Sequence, residues 1–168
     1  MSPRAKKIFL YLSIFVPFGI YCIYYYGMVL KDAPYKFAEF KSIQFEYGTG
    51  DSLVNKYDSN TGEYQYLNKR DSLIKTHVFL NKNELLYLHH KASDLGFWDF
   101  PSDERSSDTS KQRVQPLRYV MVFNYLHKSK KVIFDTNFSG PEKLVDANQR
   151  LIGEFKRVLN EAEAREKK

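Results

Sequence analysis

Cysteine is almost absent: the one residue, Cys22, lies inside an apolar run from Ile8 to Leu30. A single thiol excludes a disulfide framework and a thiolate metal site within one chain, and it leaves the redox character of the compartment open. Acidic residues are missing before Asp32, so Arg4, Lys6 and Lys7 precede the apolar run unopposed. Catalytic signatures are missing too. There is no Gly-x-Ser-x-Gly elbow, no Ser-x-x-Lys at a helix start after a strand, no Walker loop and no dinucleotide fingerprint. The His-x-x-x-His spacing of a helical metal site is absent, and His89 and His90 are adjacent, so on a helix they point about 100° apart. Nucleophilic catalysis, phosphate cradling and metal binding therefore have no local sequence basis, and no cofactor or metal is expected. Nor does charge argue for nucleic acid: of the net +6, Arg4, Lys6 and Lys7 supply half, leaving 23 basic against 20 acidic residues elsewhere.

What is present begins with the apolar run itself. Residues 8–30 contain no charge, and at ~1.5 Å rise per residue a helix of this length crosses a ~30 Å hydrocarbon layer. A cleaved signal would have a shorter apolar core, ~7–15 residues, and a small-x-small exit. Here Gly27 has Tyr25 two places before it and Ala33 has Lys31. A lipoprotein signal wants a small residue before its cysteine, where Tyr21 stands. The expectation is an uncleaved single-pass anchor at 8–30, with residues 1–7 in the cytoplasm and the remainder exported to a periplasm, lumen or intermembrane space. Tyr21 and Tyr24 to Tyr26 suit a headgroup interface. Pro17 and Gly19 imply a kink, and Ser13, Pro17, Gly19 and Gly27 form candidate contact positions for a second membrane helix.

After a connector at 31–39, a globular α+β domain is expected over 40–160, followed by a charged tail at 161–168. The 43% hydrophobic and 16% aromatic content is enough for a real core. Ile43 to Tyr47 alternates apolar and polar, as a strand with one wet face does. Leu53 to Tyr57 and Tyr64 to Leu67 flank the turn residues Asp58 to Gly62 as a hairpin. Ile74, Thr76, Val78 and Leu80 share one face of a further strand. Asn81 followed by Glu84 is a capping box, Leu85, Leu88, Ala92 and Leu95 make a helical stripe, and Gly96 ends it. Residues 101–116 are polar and read as a mobile loop. Leu117 to Leu126 is apolar on both faces, as a central strand is. Val132 to Phe134 returns, and Ser139 to Glu142 starts a second helix striped by Leu144, Leu151, Phe155, Val158 and Ala162. The expected architecture is one membrane helix, then an antiparallel sheet of about five to six strands with both later helices on one face. Its element order resembles small α+β modules of the PepSY-like or β-lactamase-inhibitor-like kind, a likeness of topology that implies no activity.

No catalytic, cofactor or metal residues stand out. Two groups suggest partner contact instead. Phe97, Trp98 and Phe100 either plug the helix against the sheet or form an aromatic lip. Arg113, Arg118, Lys128, Lys130 and Lys131 form a basic set that is either a simply solvated turn or a surface for anionic lipid heads or an acidic protein. Asn137-Phe138-Ser139 is a formal glycosylation sequon. The functional expectation is an accessory or scaffolding subunit of a membrane or envelope assembly, acting by protein contact. The alternatives are a small-ligand or lipid-binding domain using the open sheet face, and an enzyme whose histidine and carboxylates meet only on folding.

Overall fold

A computed structural model describes residues 3–31, 35–106 and 115–167, with side chains in the first stretch described at 9 and 11–25. The chain divides into two units, Met1–Pro34 and Tyr35–Lys168. The first contains helix α1 (Pro3–Lys31), with Pro17 inside it. Its described side chains are exposed, apart from Gly19 and Cys22, which are half-exposed. Among the described residues no helix is long and apolar enough to cross a membrane.

The second unit is built on strands β1 (Phe40–Thr49), β2 (Ser52–Asp58), β3 (Glu63–Leu67), β4 (Leu73–His77), β5 (Asp103–Glu104), β6 (Leu117–Tyr125) and β7 (Ser129–Asp135), with helices α2 (Lys82–Asp94) and α3 (Glu142–Glu166). They form one seven-stranded sheet in the order β4-β3-β2-β1-β6-β7-β5. The doubly apolar β6 lies in the interior, pairing β1 on one side from Phe40↔Tyr125 to Thr49↔Leu117 and β7 on the other. Alternation then decides the faces. Ile43, Phe45, Tyr57, Tyr119, Met121, Phe123 and Phe134 point to one side and are buried. Both helices meet that side. Phe155 of α3 stacks on Phe45 at 4.8 Å between ring centroids, and His89 of α2 lies 6.0 Å from Tyr125.

The sheet is mixed rather than wholly antiparallel, and it has seven strands where about five to six were expected. The difference is β5, inside the segment 101–116 read as a mobile loop. It pairs parallel to β7, Asp103 opposite Ile133 and Glu104 opposite Phe134. Two residues without an apolar pattern leave no periodic signal. What docks them is one buried side chain, Glu104, which belongs to the core side of the sheet. Residues 107–114 of that segment lie outside the described residues. At the other end, α3 runs to Glu166 through the stretch read as a charged tail. Glu163 accepts from Tyr66 Oη at 2.7 Å and Glu166 from the Phe79 amide at 2.8 Å. Charge there is used to hold the end of the helix against β3 and the turn before α2.

The start of α2 forms as its residues dictate. Asn81 Oδ1 accepts from the amides of Asn83 and Glu84, each at 3.0 Å, and Glu84 accepts from the Asn81 amide at 2.7 Å. Gly96 closes the helix with φ 77°, a left-handed conformation that a side chain would strain. Asn81→Ala is expected to cost about 1 kcal/mol in urea unfolding, with the denaturant slope unchanged. A loss below a few tenths would mean that the cap's donors are satisfied by water instead.

Candidate functional site

Four aromatic-rich elements converge where the second unit begins. Tyr35 stacks on Trp98 at 4.4 Å, and Lys128 stands 4.0 Å over the Tyr35 ring. His89 sits among Phe37, Trp98 and Tyr125, its Nε2 3.0 Å from the Tyr35 carbonyl oxygen. A carbonyl only accepts, so Nε2 carries the proton and Nδ1 is left as a buried acceptor without a donor among the described residues. Burial lowers the imidazole pKa, the Tyr35 bond and the His90 charge being smaller influences. A neutral, enclosed ring of this kind ties the first residues of the unit to α2 rather than moving protons.

The aromatic group after Gly96 divides. Phe97 and Phe100 are in the core, and Trp98 is half-buried. The basic set is dispersed. Arg118 is buried: its Nε donates to Asp135 Oδ1 at 2.7 Å, its Nη2 to Oδ2 at 3.0 Å, and its Nη1 to the exposed Asp51. Lys130 Nζ donates to the Phe100 carbonyl, and burial lowers its pKa. Lys131 is exposed on the opposite side of β7. Arg113 lies outside the described residues. In α1, a methyl group added at Gly19 would meet nothing within 4 Å, while Gly27 falls beyond the described side chains.

No protein-family model matches the chain, and no curated protein matches it.

The helix-free side of β1–β4 carries a shallow concavity of about 360 Å³. Strand register arranges its polar side chains in two rows. One row runs Glu46, Lys56, Gln65, Lys75 across the four strands. The next holds Gln44 and Asp58, which are paired, and Glu63 and His77, which are paired. Side chains two apart on a strand are separated by about 7 Å, so two lysines face a row holding two carboxylates across that distance. Gln44 Nε2 donates to Asp58 Oδ2 at 2.9 Å, and Gln65 Nε2 to the Val54 carbonyl at 2.7 Å, which fixes two of these side chains. His77 and Glu63 are cross-strand neighbours, yet among the described residues no hydrogen bond joins them. No group of three or more His, Cys, Asp or Glu that could hold a metal occurs among the described residues either.

Sequence reasoning missed a second polar cluster, under α3. Asn148 Nδ2 donates to Glu104 Oε2 at 2.6 Å and to the Leu144 carbonyl at 2.9 Å. Both side chains are fully buried, and Glu104 Oε1 and Asn148 Oδ1 have no partner among the described residues. Burial pushes the Glu104 carboxyl up to about 7, against the smaller downward pulls of the Asn148 bond and the Lys130 charge. A signal for this pair exists: Asn148 stands at a core position of the helical stripe between Leu144 and Leu151. A polar residue there needs a buried partner.

Proposed function

We propose that the chain is a single-pass anchored domain, with its N-terminus in the cytoplasm and the second unit outside it, working by protein contact as an accessory subunit of a membrane assembly. The observation that carries the reading is α1. Phe9, Phe15, Phe18, Ile20 and Ile23 are each more than half exposed, around a helix without a charge between Ile8 and Leu30. Apolar surface of that extent needs a cover, and a bilayer of ~30 Å supplies one. The Arg4, Lys6 and Lys7 flank supports the N-in orientation. Within the second unit His89, Arg118 with Asp135, and Asn148 with Glu104 each join separate elements, which favours a structural part for these groups over catalysis. Deleting 8–30 is expected to release the protein from membranes and to abolish co-purification of its partner in mild detergent. A full chain recovered only as monomer under several mild conditions, or found in the soluble fraction, would overturn the reading.

A second reading rests on the β1–β4 concavity. Lys75 and Lys56, the latter opposite Glu46, stand about 7 Å from the row of Asp58 and Glu63, a spacing that suits a small zwitterion with separate anionic and cationic ends. Titration with phosphoethanolamine is expected to shift amide resonances in β1–β4 alone, and Lys56→Glu with Lys75→Glu to abolish the shift. Absent or dispersed shifts count against it.

A further inference from the structure

We propose that Glu104 and Asn148 form a proton-gated clamp: the neutral carboxyl donates from Oε1 to Asn148 Oδ1 while Oε2 accepts from Nδ2, and loss of the proton opens the pair and frees β5 from the sheet edge. This inference concerns the second unit alone and does not depend on the functional reading above.

Among the described residues, the only buried atoms of these two side chains without a partner are Glu104 Oε1 and Asn148 Oδ1. Both are acceptors when the carboxyl is ionised, and neither then satisfies the other. One proton removes both deficits at once, because a carboxylic acid and a carboxamide are complementary, each offering one donor beside one acceptor. The amide orientation is set independently, since Nδ2 also donates to the Leu144 carbonyl. Turning the amide over would leave that carbonyl facing an acceptor.

The surroundings favour the protonated form. Glu104 is wholly enclosed. On its own strand, Asp103 belongs to the other side of the sheet and is held by Arg105. From β7 the charged group that acts on it is Lys130, whose Nζ is committed to the Phe100 carbonyl and is itself influenced by Asp99. Lys131 and Asp135 lie on the opposite side of β7, Asp135 paired with Arg118. From α3 the group in contact is the neutral Asn148. An isolated buried carboxylate is costly, and burial moves such groups towards neutrality.

The consequence falls on β5, which has little else to hold it. It is two residues long, pairs on one side only, and is tied to β7 by few backbone bonds, among them the Ile133 amide donating to the Ser102 carbonyl at 3.1 Å. Opening the clamp removes its one buried anchor, while the antiparallel pairing of β6 with β7 is independent of it.

The test uses the full chain in mild detergent, labelled at glutamate side-chain carboxyls, with hydrogen exchange followed at the Ile133 amide. The Glu104 carboxyl carbon is expected to titrate near neutrality. Over the same interval the Ile133 protection factor should fall at least tenfold, with β6 amides unchanged. Glu104→Gln, which keeps one donor and one acceptor, should hold protection constant from pH 6 to pH 8. Two results overturn the clamp: Glu104 titrating wholly below pH 5.5, or titrating near neutrality with Ile133 protection unmoved. The wild-type titration decides the matter by itself should the variant not fold.

Discussion

Glu104→Gln is expected to stabilise the protein by up to about 3 kcal/mol at pH 8 and to change it little at pH 4. Burial raises the carboxyl pKa from 4.5 to about 7, so the folded chain holds this proton more tightly than the unfolded chain does. Stability from that preference is complete below pH 4.5, declines as pH rises from 4.5 to 7, and is lost above 7. At about 1.4 kcal/mol per pKa unit, the interval corresponds to roughly 3 kcal/mol. Glutamine reproduces the neutral acid, donating through one atom and accepting through the other, and carries no charge to bury. Its advantage therefore grows over the interval in which the wild type weakens. His89 titrates in the opposite sense: with its folded pKa lowered by burial, stability is lost as pH falls below about 6.5. That effect is common to both chains and cancels in the difference. Urea unfolding at pH 4, 6 and 8 reads it directly, and parallel curves for the two chains would sink the prediction.

Arg118→Met is expected to cost about 3–5 kcal/mol, because it leaves Asp135 buried without its counter-charge. Asp135 is fully enclosed and takes two bonds from the guanidinium, at 2.7 and 3.0 Å. The geometry is a fork on a fork, which lysine does not reproduce. The exposed Asp51 adds little, since water screens it. The pair itself is not expected to be worth so much. Replacing both partners together, Arg118→Met with Asp135→Leu, removes the desolvation cost along with the attraction and should recover most of the loss. A single variant that loses less than 1 kcal/mol would show that water or a neighbouring group reaches Asp135. A double variant as poor as the single would show that the pair stabilises the sheet beyond mutual compensation.

These two residues also mark where sequence reading stops. In sequence Arg118 belongs with the basic set of Lys128, Lys130 and Lys131, although the strand around it is apolar on both faces. Register decides otherwise: it places Arg118 opposite Asp135, seventeen residues away, on the helix-free side of β6 and β7. Lys130 stands beside Lys128 and Lys131 in sequence, but alternation along β7 sends Lys130 and Lys131 to opposite faces. The α2 cap, the Gly96 stop and the α3 stripe were legible because each is a local event, decided by backbone groups or side chains within four positions. The concavity was legible only as an uncovered sheet face. Its two polar rows, one carrying Lys56 and Lys75 beside Glu46 and the other Asp58 and Glu63, depend on four strands meeting in one register, and no single strand shows them.

By itself the sequence determined the uncharged run at 8–30, the alternation of Ile43 to Tyr47, the doubly apolar β6, and the periods of α2 and α3. The alternation and the helical periods follow from apolar side chains leaving water at spacings of two or of three to four residues, and the run and β6 from apolar side chains in unbroken succession, all properties of the chain alone. Tertiary structure decided the parallel seventh strand, the burial of Arg118 with Asp135, and the pairing of Glu104 with Asn148, forty-four residues apart. The reason is physical. A polar group is affordable inside a protein only beside its complement, and where that complement lies is a matter of how the sheet and α3 come together.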